Sequence, residues 1–214
     1  MLPAYVDVLL VRHGESEANA AGRFASHTWD PPLTRAGSLE AERLAQQLGN
    51  APIDHIVTSP LVRAQQTIAP LARLRRLSPI ILKDLAEVDL GQWDGRRLKD
   101  LETANLPAFQ AWRRDPESNP PPGGESIVDV GHRVLAVLAQ FLKTCEPNSL
   151  VVASTHADCI KGAVLVILEA HGPAARHIWV PNTGQLLLRR FDNSRWLLVF
   201  SPPCIPRDPV ADFG

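Results

Sequence analysis

The chain has 214 residues, 45% of them hydrophobic, which is enough apolar material for a core without disulfide or metal staples. Lys and Arg together number 22 against 23 Asp and Glu, and the net charge of -1 offers no field for a polyanion, so nucleic acid is excluded as the main partner. Cys145, Cys159 and Cys204 are an odd, widely spaced set without a CxxC pair, which argues against both a disulfide framework and a zinc knuckle and fits a reducing, cytoplasmic setting.

In chain order, residues 5–11 form a short Val/Leu-rich run that reads as a strand buried on both faces, interrupted only by Asp7; no basic leader precedes it. Thr34 is placed to cap a helix carrying Leu39, Leu44, Ala45 and Leu48 on one face, with Gly49 ending it. Residues 53–58 read as a second strand, after which Ser59 and Pro60 are expected as N-cap and first position of a helix through Ala64, Ile68 and Leu71. A short strand at 80–82 precedes a Gly-containing loop at 87–95 and helical pieces over 98–112. The 125–145 stretch keeps a helical period through Ile127, Val130, Val134, Val137, Leu138 and Phe141. Residues 149–155 are another buried strand, and 184–191 and 195–200 flank Asp192-Asn193-Ser194 as an edge hairpin. This alternation predicts an α/β fold: a three-layer α/β/α sandwich with a mixed, mostly parallel sheet, in one domain over 1–214 with a Pro-rich tail at 201–214. No apolar stretch is long enough for a membrane span.

Three polar clusters fall at carboxyl ends of strands, where open α/β sheets bind ligands. They are Arg12-His13-Gly14 with Ser16 and Asn19, Ser59 to Arg63, and Thr155-His156-Ala157-Asp158. Two arginines and two histidines in one crevice suit a tetrahedral oxyanion, because guanidinium forks match phosphate oxygens without a metal. Spacing alone leaves open which of Asp84, Glu87, Asp89 and Asp94 would serve as an acid.

The segments RHGESEAN, LTRAG, SPLVRAQQT, LAEVDLGQWDG, GGES and THADCIKG, taken as an ordered set, resemble the histidine phosphatase (phosphoglycerate mutase-like) superfamily. GRRLKDLE and HADCIKGAVLVIL are similar to bacterial members described as phosphomutases or phosphatases. The resemblance implies that His13 becomes phosphohistidine, that Arg12 and Arg63 hold the phosphate, that His156 stabilises the transferring group, and that Glu87 is the acid. It also places Asn19, Ser16 and the Ala157 backbone beside the phosphate. The implied enzyme is a metal-independent phosphomonoesterase acting on small phosphorylated metabolites, with no cofactor; a homodimer is compatible with it. Its rivals are a phosphoglycerate mutase and a non-catalytic binder of phosphorylated ligands.

Segments 15–32 and 90–125 are expected to form a lid that sets substrate choice. Candidates there are Arg23, Phe24, Trp29, Arg96, Arg97, Trp112 and Arg113. The stretch DPESNPPPGG is expected to seal the crevice loosely. Asp158, where the family pattern has a glycine, is read as a first-turn helix residue, and Cys159 as buried and inert.

Overall fold

The computed structural model describes residues 4–104, 106–192 and 194–200; the 201–214 tail, Cys204 and the central hairpin residue Asn193 lie outside that range. In chain order the elements are β1 (Tyr5–Arg12), α1 (Glu17–Ala20), α2 (Arg35–Leu48), β2 (His55–Thr58), α3 (Val62–Arg75), β3 (Ile80–Ile81), α4 (Leu98–Thr103), α5 (Pro107–Arg114), α6 (Ile127–Leu142), β4 (Leu150–Thr155), α7 (Ala157–Ile167), β5 (Gln185–Phe191) and β6 (Trp196–Val199). The sheet runs β3-β2-β4-β1-β5-β6. Its first four strands are parallel neighbours, whereas β5 and β6 join antiparallel to finish the edge as a hairpin.

Strand period explains the layering. On β1, Val8 and Leu10 point into a core with Val130, Val134 and Leu138 of α6 and Ile160 and Ala163 of α7. The alternate residues Leu9 and Val11 meet Leu44 and Leu48 of α2 and Ile68 and Leu71 of α3. Both faces are therefore apolar, the pattern of a central strand covered by helices on each side. Helices α6 and α7 approach so closely that a Cβ on Gly131 would lie 2.2 Å from the Gly162 carbonyl oxygen, so only glycine fits there. Asp7 is tolerated in β1 because Arg189, its cross-strand neighbour on β5, grips it with two 2.8 Å hydrogen bonds.

Local signals set most boundaries. Thr34 accepts from the Gly37 N–H at the start of α2, and Ser126 accepts from the Asp129 N–H at the start of α6. Two expectations change. Leu39 is 53% exposed, because its position on α2 falls off the stripe carrying Leu44, Ala45 and Leu48. Helix α3 starts at Val62 with Leu61 at the cap, not at Ser59-Pro60, since the Ser59 hydroxyl is occupied elsewhere. The Val62 N–H is capped instead by the carboxylate of Asp30, from a distant loop.

Candidate active site

His13 follows the carboxyl end of β1 and His156 that of β4, adjacent parallel strands, so the two rings meet with centroids 5.1 Å apart. Arg63 enters from the first turn of α3, beside the end of β2. Glu87 arrives on the loop after β3. Ring nitrogens of both histidines and a carboxylate oxygen of Glu87 lie within 4.8 Å of one another. Four residues from remote parts of the sequence thus share one crevice.

The His13 ring is fixed on both sides. Its Nδ1–H donates to the Gly14 carbonyl at 2.7 Å, which leaves the lone pair on Nε2, and that nitrogen accepts from Arg63 Nε at 3.3 Å. Burial pushes the His13 pKa down to about 3, with Arg63 and Arg12 adding to the effect and the Gly14 bond opposing it. His156 is fully buried; its Nε2 shares a 2.7 Å hydrogen bond with the Ser59 hydroxyl and its Nδ1 has no partner among the described residues. Desolvation first, and Arg63 second, hold this ring well below the usual imidazole range too. Both imidazoles are neutral at pH 7.

Arg63 is 2% exposed, and beyond His13 it donates to the Ala25 carbonyl at 2.9 Å and pairs with Asp30 at 3.3 Å. Arg12 anchors through Val180 O at 2.7 Å, while its Nε is buried without a partner among the described residues. Burial lowers the pKa of both guanidiniums, against the pull of Glu87, yet at neutral pH they remain cations. Glu87 keeps some surface at the crevice although protein surrounds it densely, and desolvation with the nearby Asp158 charge raises its pKa to about 7, opposed by the Val88 N–H bond and the two arginines. A carboxyl so placed can either hold or release a proton near neutrality.

Of the other expected contacts, Ala157 opens α7 at the crevice. Ser16 and Asn19 form a reciprocal capping box on α1, so Ser16 is committed to that helix while Asn19 also meets Asn182 Nδ2 at 3.4 Å. Arg23 is exposed and donates to Gly95 O at 3.0 Å, which puts it in the seam between the 15–32 and 90–125 segments rather than in the crevice. Those segments are stitched by Asp94, whose carboxylate accepts from the Ser26, His27 and Thr28 N–H groups and the Thr28 hydroxyl. Trp93, Phe109, Trp112 and Phe24 pack beneath them edge to face. The DPESNPPPGG stretch is fastened, not loose: Gln92 N–H donates to Pro122 O, Glu125 N–H donates to Asp89 O, and a Cβ on Gly91 would lie 2.3 Å from Pro122 O.

Arg133 is a site residue that the sequence did not single out. From α6 it donates to the carbonyls of Asp84, Ala86 and Glu87 and makes two 2.8 Å bonds to Glu125, so three of its five N–H donors hold the segment that carries Glu87 and the other two hold Glu125. Glu125 in turn accepts from the Asp89 N–H at 2.9 Å. Cys159 is buried on the other side of that loop, 3.0 Å from Ala86 O, and its thiol is pushed well above the ordinary range by burial. Asp158 lies in the first turn of α7 and pairs with Lys161 at 2.9 Å.

Residues 8–201 match the model of the histidine phosphatase superfamily, branch 1. Among curated relatives, phosphoserine phosphatase 1 of Hydrogenobacter thermophilus is 34% identical over 70% of this chain and 70% of its own. The probable phosphoglycerate mutase GpmB of Proteus mirabilis is 32% identical over 90% of this chain and 88% of its own. Among solved structures, the mycobacterial glucosyl-3-phosphoglycerate phosphatase superposes with a TM-score of 0.79 at 26% identity, covering 91% of this chain and 97% of its own. The chain belongs to the histidine phosphatase superfamily. Within it, the chain is an enzyme that hydrolyses phosphate monoesters. Among the described residues no helix is long and apolar enough to cross a membrane.

Proposed function

We propose that the protein hydrolyses small phosphorylated metabolites through a phosphohistidine on His13, without a metal. The observation that carries this is the fixed tautomer of His13: its Nδ1–H is held by Gly14 O and its Nε2 lone pair faces Arg63, in a cluster where one side-chain atom each of His13, Glu87 and His156 lie within 4.8 Å of one another. A phosphate entering the crevice replaces Nε2 as the acceptor for Arg63, and Arg12 with its unpartnered Nε completes the cradle. His13 Nε2 then bonds to phosphorus as the ester P–O bond breaks. Glu87, protonated at the start, gives its proton to the departing oxygen.

In the second half-reaction the Glu87 carboxylate takes a proton from water, whose oxygen bonds to phosphorus as the N–P bond breaks, releasing inorganic phosphate and restoring His13. With the Ser59 hydroxyl donating to Nε2, His156 carries its proton on Nδ1 and offers it to a phosphoryl oxygen, where charge grows in the transition state. Asn19 and the Ala157 N–H lie within the same reading as outer phosphate contacts; Ser16 and Arg23 act through the lid. The free Cys145 and Cys159 fit a cytoplasmic location.

Rapid acid and alkaline quenching after brief exposure to labelled substrate tests the proposal. The wild type should yield an acid-labile, base-stable phosphoenzyme, and His13→Ala should yield neither phosphoenzyme nor turnover; substantial residual hydrolysis in that variant refutes it. In the same assay, phosphate release should dominate over interconversion of 3- and 2-phosphoglycerate.

A further inference from the structure

Beside the loop that carries Glu87 lies a second space of about 680 Å³, bounded by helix α5, the start of α6 and the first turns of α7. Val88 and Asp158 line it, so it begins beside the acid that would protonate the leaving oxygen. One wall is aromatic: Phe24 and Trp112 stand edge to face at 5.8 Å, and Trp112 is braced from behind by Trp93 and Phe109. That backing makes a stiff apolar surface of the kind on which a ring can lie.

The charges of this space are unbalanced. Lys161 is taken by Asp158 at 2.9 Å, Arg113 by Glu102 at 3.1 Å, and Glu125 by Arg133. Arg114 and Arg176, both exposed at the rim, have no ion pair or hydrogen bond among the described residues. Two unspent guanidiniums facing one cavity select for an anion, and their fork geometry suits a carboxylate or a phosphate. The volume lies within the range of pockets that bury whole small molecules, and a three-carbon leaving group such as serine or glycerate would leave most of it empty.

Resting on the reading of the crevice as a phosphomonoesterase centre, we infer that this cavity is the leaving-group site, built for a ring-bearing alcohol of glycoside or nucleoside size that carries a second anionic group. The ring lies on Phe24 and Trp112, the anion meets Arg114 and Arg176, and the Asp158–Lys161 pair receives hydroxyl groups near the ester oxygen. The order of these features from Glu87 outward sets the order of groups on the substrate: phosphate, hydroxylated ring, anion.

Matched esters test this. Adenosine 3′,5′-bisphosphate against adenosine 3′-monophosphate, and glucuronic acid 1-phosphate against glucose 1-phosphate, vary the second anion while keeping the ring, with 3-phosphoglycerate as the small anionic probe and p-nitrophenyl phosphate as reference. At least one of the larger anionic esters should exceed its neutral counterpart and 3-phosphoglycerate in kcat/KM by about tenfold or more, the effect expected of a charged hydrogen bond. The double variant Arg114→Ala/Arg176→Ala should lose that preference, its kcat/KM for the anionic ester falling at least about tenfold further than for p-nitrophenyl phosphate. Hydrolysis of p-nitrophenyl phosphate with no preference in either pair, or with 3-phosphoglycerate preferred, overturns the cavity assignment and leaves the phosphatase reading standing. Failure to hydrolyse any of the esters, p-nitrophenyl phosphate included, overturns both.

Discussion

The Ser59 hydroxyl lies 2.7 Å from His156 Nε2 in a site where the imidazole is fully buried. Ser59 also accepts from the Leu61 N–H at 3.2 Å, and when it donates its own proton to the ring the imidazole proton stands on Nδ1. Ser59 is in this sense a positioning residue for the second histidine. Ser59→Ala leaves Nε2 buried without a partner, a cost of about 1–3 kcal/mol, and frees the ring to take the other tautomer. The expected result is a tenfold to hundredfold fall in kcat, on the order of that cost, with KM for phosphate esters little changed. Nitrogen NMR of the labelled histidine should show the tautomer shift, and Ser59→Thr should restore both; an unchanged His156 spectrum would refute the role.

Glu87 defines the second prediction. With its pKa near 7, kcat/KM for an alkyl phosphate should fall as pH rises through about 7, where the acid is lost. Glu87→Gln should remove that limb and slow alkyl phosphates far more than p-nitrophenyl phosphate, whose leaving group hardly needs a proton. The comparison is a pH–rate profile for both esters, and equal losses on both would assign Glu87 a positional role. Asp89→Asn should change little in that profile, since Asp89 Oδ1 accepts from Gly91 in its own loop.

Stability should follow pH with opposing signs. His13 titrates at about 3 when folded and near 6.5 when unfolded, so between these values the unfolded chain binds the extra proton and acidification destabilises; His156 acts in the same direction. Glu87 is raised from about 4.5 to about 7, so between those values the folded chain binds the extra proton and acidification stabilises. Two histidines outweigh one carboxyl, and net stability should fall as pH drops below about 6.5, more steeply below about 4.5. Denaturant titrations of Glu87→Gln should show a gain over the wild type at pH 8 that disappears at pH 4; a gain independent of pH would refute the assignment.

Arg133 supports the acid loop by packing and hydrogen bonding rather than by touching substrate. Its side chain is 20% exposed and Glu125 is 29% exposed, so Arg133→Met should cost about 2 kcal/mol, below the roughly 3–5 expected when a fully buried pair is broken. The telling measurement is kinetic: the pH 7 limb set by Glu87 should shift, because the Glu87 carbonyl loses its donor. Arg133→Lys should recover stability only in part, since an ammonium cannot reproduce the five-donor fork. An unmoved limb would reduce Arg133 to a stabilising residue.

His13, Glu87 and His156 have a spacing that could hold a cation, yet Arg63 Nε already faces His13 Nε2 at 3.3 Å and Arg12 adds a second positive charge. Exhaustive chelation should leave activity unchanged, and zinc should inhibit by competing with Arg63 for the histidine lone pair. Loss on chelation with recovery on adding metal would overturn the metal-free mechanism.

The sequence exposed the parts of this site that depend on strand ends and missed those that depend on packing between distant elements. His13 and His156 were legible because each ends a run of buried β-type residues, and Arg63 because it opens a helix just past a strand. Arg133 was not: on α6 it sits among residues of the polar face, and nothing local shows that the acid loop folds over it. Ser59 reads in the sequence as a helix cap, whereas the cap of α3 is Leu61 and the Ser59 hydroxyl holds His156, a histidine that follows it by nearly a hundred positions. Leu39 failed because helical phase places it opposite the stripe of Gly37, Ala41, Leu44, Ala45 and Leu48, so an apolar residue there faces solvent. The lid stitching through Asp94 also escaped, because a carboxylate accepting backbone donors of another loop leaves no trace in spacing.

Pairing of β1 with β4 joins parts of the chain separated by more than half its length, and β1 takes its other neighbour, β5, from still further along. During synthesis, β1 is therefore made first and completed last. Until β4 emerges, Val8 to Val11 have no strand on either side, and an apolar strand with both edges open is prone to associate with other chains. Non-local parallel pairing of this kind also folds slowly compared with helical bundles. Because His13 and His156 lie at the ends of β1 and β4, the crevice closes only when these two strands pair, and a chain arrested before β4 can neither shield β1 nor bind phosphate through both histidines.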